Sequence, residues 1–168
     1  MTRSERTRYI ITGALIAAGY AALTYLSNVF GLAYGPIQLR ISEVLTILPV
    51  FTPAAIPGLT IGCFIANIGS FNVADLLFGT LATFSAAWLS RVFKDKMVKG
   101  VPLLSFLPPI FINALVIGFE IAVFYLDAKN FFWGFLVSFF EVGLGQFIVC
   151  LGFGIPFYLI VKKHKIFK

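Results

Sequence analysis

YGPIQLRISEVLTILPVFTPAAIPGLTIGCFIAN, residues 34–67, decides how the chain is read. The stretch is apolar enough for a bilayer, yet it carries Pro36, Pro49, Pro53 and Pro57 and the polar residues Arg40, Ser42, Glu43 and Asn67. Proline removes a backbone donor and breaks a helix interior. The segment is therefore expected as two short helices meeting at a proline-bounded turn, over 42–51 and 53–68. At ~1.5 Å per residue the first spans ~15 Å, half of a ~30 Å hydrocarbon core. So short a helix must pack among longer neighbours or line a cavity, where irregular backbone is tolerated. Broken helices with polar groups are also where membrane transporters bind substrates. The stretch reads as one wall of a ligand site.

Composition places the whole chain in a membrane. Of 168 residues, 60% are hydrophobic and 12% charged, against roughly 25% charged in a soluble domain. Mean hydropathy is +0.96. A single membrane domain over residues 1–168 accounts for this length. The net charge of +6 is not a nucleic-acid footprint. Its bases sit at Arg3, Arg6 and Arg8, at Arg91, Lys94, Lys96 and Lys99, and at Lys162, Lys163, Lys165 and Lys168, flanking apolar runs. Cys63 and Cys150 lie inside apolar segments and imply no disulfide framework. His164 is the only histidine, so an H-E-x-x-H zinc site is impossible, and no metal or cofactor is expected. No Gly-Lys dipeptide occurs, which excludes a Walker A loop in this sequence. With no nucleophile–base pair visible either, an enzyme is not expected, and any uphill transport must draw its energy from elsewhere.

Working outward, six helical elements are expected, over 9–30, 42–51, 53–68, 73–93, 102–126 and 131–161. The first follows three arginines and is too long for a signal-peptide core of ~7–15 residues, so it is taken as an uncleaved span. Within it Gly13, Ala17 and Ala21 repeat every four residues, and Ala14, Ala18 and Ala22 repeat beside them. Such strips let another helix approach closely in lipid. Packing inside the bundle and docking of a partner are equally open on this pattern. The fifth element is interrupted by Pro108–Pro109. The sixth begins with an interfacial aromatic stretch over 131–137, its crossing starting near Ser138. With both termini cytoplasmic, all Lys and Arg except Arg40 and Lys129 fall on the inner side, as the positive-inside rule requires.

This orientation gathers the polar groups into the outer half. Glu43 and Asp75 begin inward-running helices, Asn67 ends an outward-running one, and Glu120 and Glu141 lie near outer ends, with Asn113 and Gln146 deeper. Asn113 and Glu120, seven apart, share a helix face. Each has a plain structural reading: Glu43 and Asp75 as first-turn charges favoured by the helix dipole, Asn72 as a cap, the rest as helix-to-helix bonds worth ~0.6 kcal/mol each. A carboxylate at mid-bilayer costs ~2.5–3.5 kcal/mol, however, so such a gathering is better explained by a pocket open to the outside. Carboxylates and amides with little base nearby suit a ligand rich in donors, or a cation. A nucleobase-like edge with adjacent N–H groups fits a carboxylate bidentately.

At these residues the chain resembles the QueT family. The resemblance is carried by Arg40, Ser42, Glu43, Leu48, Pro49, Thr52, Pro53, Ala54, Ala55, Pro57, Gly58, Ala66 and Asn67. It extends through Asp75, Phe78, Gly79, Leu81, Ala82 and Thr83 to the 143–150 stretch with Gly152 and Pro156. It implies an all-α integral membrane bundle of six transmembrane helices with the S-component fold of energy-coupling-factor (ECF) transporters. That component, in the bacterial cell membrane, takes up a queuosine precursor, a 7-deazaguanine such as its 7-aminomethyl form. Implied partners are a transmembrane coupling protein and two cytoplasmic ATPases, with the strip at Gly13, Ala14, Ala17, Ala18, Ala21 and Ala22 as the docking surface. The whole subunit is expected to topple to deliver its ligand. Arg40, Glu43, Asn67, Asp75, Asn113, Glu120, Glu141 and Gln146 are the candidate ligand residues. Glu43 or Glu141 is expected on the N–H edge, and Asp75 or Glu120 on the amine. The family pattern leads one to expect an acid where this chain has Gln146, an amide that cannot neutralise an aminomethyl cation. Rival readings are an S component for another vitamin, a proton-coupled carrier using Glu120 and Glu141, and a structural subunit without a ligand.

Overall fold

The computed structural model describes residues 1–34, 38–70, 72–124 and 130–167. Pro36, Lys129 and most of the expected outer turn at 127–130 lie outside them. Among the described residues the protein is all-helical, with one isolated β-bridge between Val98 and Val101. Helix α1 is Arg3–Val29. A 3-10 helix, Ile41–Val50, follows, then α2, Ala55–Ile68. A π turn, Asp75–Gly79, leads into α3, Thr80–Val92. Helix α4 is Leu103–Phe124. Helix α5, Phe131–Phe147, passes through a second π turn, Ile148–Phe153, into α6, Gly154–His164.

Among the described residues six continuous helical stretches are therefore present. Arg3–Val29, Leu103–Phe124 and Phe131–His164 are long and apolar enough to cross a membrane. Large side chains such as Leu15, Trp133 and Phe140 are exposed on their outer faces, the expected arrangement where the surrounding solvent is lipid. This is a membrane protein.

Three local features differ from expectation. Helix α1 starts at Arg3, so the three arginines lie within it. Its start is set by a capping box: Thr2 Oγ1 accepts from the Glu5 N–H at 3.2 Å, and Glu5 Oε2 accepts from the Thr2 N–H at 2.7 Å. The first short helix is 3-10 rather than α, so its ten residues rise ~20 Å instead of ~15 Å. Pro108 and Pro109 do not interrupt α4. Both are buried in its second turn, where neighbouring helices stabilise a run that has lost two donors. The last element runs on unbroken past Ser138 and through the π turn into α6.

Core packing centres on the 3-10 helix. Leu48 joins Ile16, Tyr20, Leu59, Cys63 and Val161 on one side. Ile47 joins Phe106, Ile110, Cys150 and Tyr158 on the other. Arg91 fixes the C-terminal end of this helix by donating to the Pro49 carbonyl at 2.6 Å. Helix α1 packs along α2, α3 along α4, and α4 along α5.

The small-residue strip divides between two environments. Ala17 and Ala21 are buried and Gly13 is half-buried, whereas Ala14, Ala18 and Ala22 are exposed. The inner edge meets α2 at Gly58 and Gly62, where an added Cβ would lie 2.7 Å from the Gly13 and Ala17 carbonyl oxygens respectively. This is small-xxx-small packing on both helices. Beside it a groove of about 450 Å³ runs past Ala14, Ala18 and Ile61.

Candidate ligand site

The 3-10 geometry builds the site. Residues three apart eclipse in such a helix, so Arg40 at its N-cap, Glu43, Thr46 and Pro49 stand in one column, and all four are buried. Two hydrogen-bonded networks grow from it.

The first centres on Glu43, 2% exposed. Tyr20 of α1 donates its hydroxyl to Glu43 Oε1. Asn113 of α4 donates to Oε2 at 3.4 Å. A carboxylate has about four acceptor positions, so roughly two remain. One turn below, Thr46 donates to the Glu43 carbonyl at 2.6 Å. Cys150 Sγ lies 3.9 Å from Thr46 Oγ1 and 3.5 Å from Gln146 Oε1, tying Gln146 to the same wall. Above, Thr24 Oγ1 and Ser42 Oγ are in hydrogen-bond contact at 2.7 Å, and Ser27 Oγ accepts the Ile41 N–H at 3.0 Å. Four elements converge here: α1, the 3-10 helix, α4 and the α5–π run.

The second network starts at Arg40. Its Nε donates to the Ala33 carbonyl at 2.7 Å, one terminal nitrogen donates to Asn67 Oδ1 at 3.2 Å, and its guanidinium lies 5.0 Å from the Tyr34 ring centroid. Asn67 Nδ2 donates in turn to the Asp75 carbonyl at 2.9 Å. Gly79 permits that contact, because a Cβ there would stand 2.5 Å from Asn67 Nδ2. Asn72 Oδ1 accepts the Ala74 N–H at 2.8 Å, so the capping role expected of Asn72 is realised one residue before Asp75. Glu120 of α4 is completely buried. Neither of its carboxyl oxygens has a hydrogen-bond partner of good geometry among the described residues, and the side chain interacting with it is Asp75.

The structure thus joins Glu43 with Asn113 and Gln146, and Arg40 with Asn67, Asp75 and Glu120. Asn113 and Glu120 share a face of α4, as expected, but serve different networks about 10 Å apart along the axis. Glu141 is half-buried on α5, and among the described residues the bonds of neither network reach it. Gly145, one turn further on, packs beneath the Gln38 backbone. Tyr20, Thr46 and Cys150 were not among the residues expected from sequence. For Tyr20 a signal existed: Tyr20, Thr24 and Ser27, spaced four and three apart, form a polar stripe on an otherwise apolar helix.

Together these features define an all-helical membrane protein with a buried polar seam between its helices. A family model described as QueT transporter matches residues 10–163, and the chain belongs to that family. Among curated proteins it is similar to the queuosine precursor transporter QueT of Lactococcus lactis subsp. cremoris (strain MG1363), at 36% identity over 94 residues, covering 56% of each chain. The chain therefore spans about half the length of that relative. No solved structure matches it.

Proposed function

We propose that this protein is the substrate-binding S component of an ECF-type importer for a queuosine precursor, a 7-deazaguanine such as 7-aminomethyl-7-deazaguanine. In this reading its single membrane domain makes six crossings in the bacterial cell membrane with both termini cytoplasmic. The two networks lie near the outer face. ATP is hydrolysed by two cytoplasmic partner ATPases, and a transmembrane coupling protein docks on the exposed edge at Ala14, Ala18 and Ala22. Toppling of the subunit carries the bound ligand inward.

One observation carries the ligand assignment. Glu43 is a buried carboxylate oriented by Tyr20 and Asn113, with acceptor positions to spare. A guanine-like edge presents adjacent N–H donors, the complement of that group, and Gln146 supplies an amide on the same wall. Membership of the QueT transporter family supports the choice of a queuosine precursor. Calorimetric titration of detergent-purified protein with 7-aminomethyl-7-deazaguanine, against guanine, tests the reading. One-to-one binding with preference over guanine is expected, with at least a tenfold loss in Glu43→Gln. No binding by folded protein, or an unchanged affinity in Glu43→Gln, refutes it.

A further inference from the structure

The start of α1 and the end of α6 lie at one side of the bundle, and a groove runs from there along α1. It encloses about 560 Å³, within the roughly 300–1,000 Å³ of small-molecule sites. Its polar α1 residues, Glu5, Arg8, Tyr9 and Thr12, belong to the first three turns. Beyond Thr12 the α1 lining is Leu15, Ile16, Gly19 and Leu23, and the 3-10 helix adds Leu45 and Leu48. Gly19 leaves space, since a Cβ there would meet Leu45 Cδ1 at an ordinary 3.8 Å. Ile166 and Phe167 also line the groove. They reach it because α6 stops at the left-handed Lys165 (φ 51°), after which Phe167 stacks on Phe51 at 6.1 Å. A second cleft shares Arg8 and Thr12 and adds Arg3, Ser4 and Thr7, so the apolar groove opens into a basic mouth.

We propose that this groove seats one anionic phospholipid, its phosphate at Arg8 and an acyl chain laid along α1 toward Leu23. The length fits: Thr12 to Leu23 rises about 16 Å, close to one leaflet of a ~30 Å hydrocarbon core. The charge fits as well. Arg3, Arg6 and Arg8 open α1, while Lys162 and Lys163 close α6 and Lys165 follows. Lys162 donates to the Gly100 carbonyl at 2.9 Å, which brings the basic 94–99 segment to the same side. The acids there are Glu5, whose Oε2 accepts the Thr2 N–H, and Asp95, 3.8 Å from Lys94. Basic pockets beside membrane-spanning helices collect anionic headgroups. Arg8 has an interaction within the protein, but a guanidinium carries five donors, enough to serve a phosphate as well. An acyl chain in this groove bridges α1 and the 3-10 helix that carries Glu43. The proposal goes beyond the queuosine-precursor reading and does not depend on it.

The test is native mass spectrometry of the detergent-purified full chain, given equal amounts of phosphatidylglycerol and phosphatidylcholine with identical acyl chains. Wild-type protein is expected to retain one phosphatidylglycerol in preference. Arg8→Gln should lower that preference about fivefold, the effect of one base near a lipid surface. Arg6→Gln removes the same charge two residues away, from a side chain that does not line the groove, and should leave the preference unchanged. Gly19→Leu fills the groove and should abolish retention of the lipid. Glycerol 3-phosphate alone should not compete, because the acyl chain supplies part of the affinity. Absence of any headgroup preference in wild-type protein overturns the proposal and leaves the groove to a partner's helix. An equal loss in Arg6→Gln and Arg8→Gln also overturns it, since the attraction is then diffuse. So does competition by glycerol 3-phosphate, which would mark a plain anion site. If Gly19→Leu does not fold, the two arginine variants decide. Titration with the deazaguanine is a separate readout, so the proposed function stands or falls independently.

Discussion

Replacing Gly62 by alanine adds one methyl group at the closest approach of α1 and α2. That Cβ would lie 2.7 Å from the Ala17 carbonyl oxygen, 2.8 Å from Tyr20 Cβ and 3.0 Å from Ala17 Cα. Carbon contacts prefer about 3.5–4.0 Å, so the helices must separate by roughly an ångström. All three neighbours belong to the α1 backbone or its first side-chain atom, and none can swing aside. Overpacking of this kind costs about 1–3 kcal/mol, equivalent to a fall of roughly 2–12 °C in melting temperature for a domain of this size. Displacing Tyr20 also pulls its hydroxyl from Glu43, so ligand affinity falls with stability. The assay is thermal unfolding in detergent beside a calorimetric titration, with Gly152→Ala as comparator. An added Cβ at Gly152 meets nothing within 4 Å, and this variant is expected to melt at or slightly above wild type, since glycine costs ~0.5–1 kcal/mol within a helix. Wild-type melting and binding in Gly62→Ala would refute the account of this contact.

Three further outcomes follow from the same geometry. Tyr20→Phe removes the donor to a buried carboxylate and should lower stability by about 1.5–3 kcal/mol, measured by unfolding, with weaker ligand binding. Asn67→Ala removes one bond from the Arg40 guanidinium and one from the Asp75 carbonyl; a loss of about 1–3 kcal/mol is expected in the same assay. Arg91→Met frees the Pro49 carbonyl and should cost about 1–2 kcal/mol while leaving the ligand preference unchanged, because the bond lies at the far end of the 3-10 helix.

The sequence was informative where chemistry is local. Prolines and short apolar runs marked the broken segment at 41–68, and base placement marked the flanks of the apolar helices. The Thr2–Glu5 capping box was equally local, and it moves the start of α1 outward past its arginines. The choice of 3-10 over α at Ile41–Val50 was not local. An isolated chain prefers α hydrogen bonds, and the alternative is favoured only when a column of four side chains can be buried against α1, α4 and the α5–π run. Pro108 and Pro109 misled for the same reason, since a helix interruption expected from backbone chemistry alone is averted by the surrounding bundle. At the candidate site, residue type found Glu43, Asn113 and Gln146, but their association depends on Cys150 and Thr46, which look like ordinary core residues in the sequence. Helical spacing correctly placed Asn113 and Glu120 on one face. It could not show that one belongs with Glu43 and the other with Asp75, because that depends on which neighbour each turn of α4 meets.

A helix of three residues per turn keeps strict count. Removing one residue between Arg40 and Pro49, or inserting one, turns everything beyond it by about a third of a revolution. Thr46 would leave Cys150, and the Pro49 carbonyl would leave Arg91, even if every other residue stayed the same. The segment should therefore tolerate exchange of its side chains far better than any change in its length. New ligand preferences can arise by editing Glu43 or its partners on the surrounding helices, while the two-residue intervals between Arg40, Glu43, Thr46 and Pro49 stay fixed.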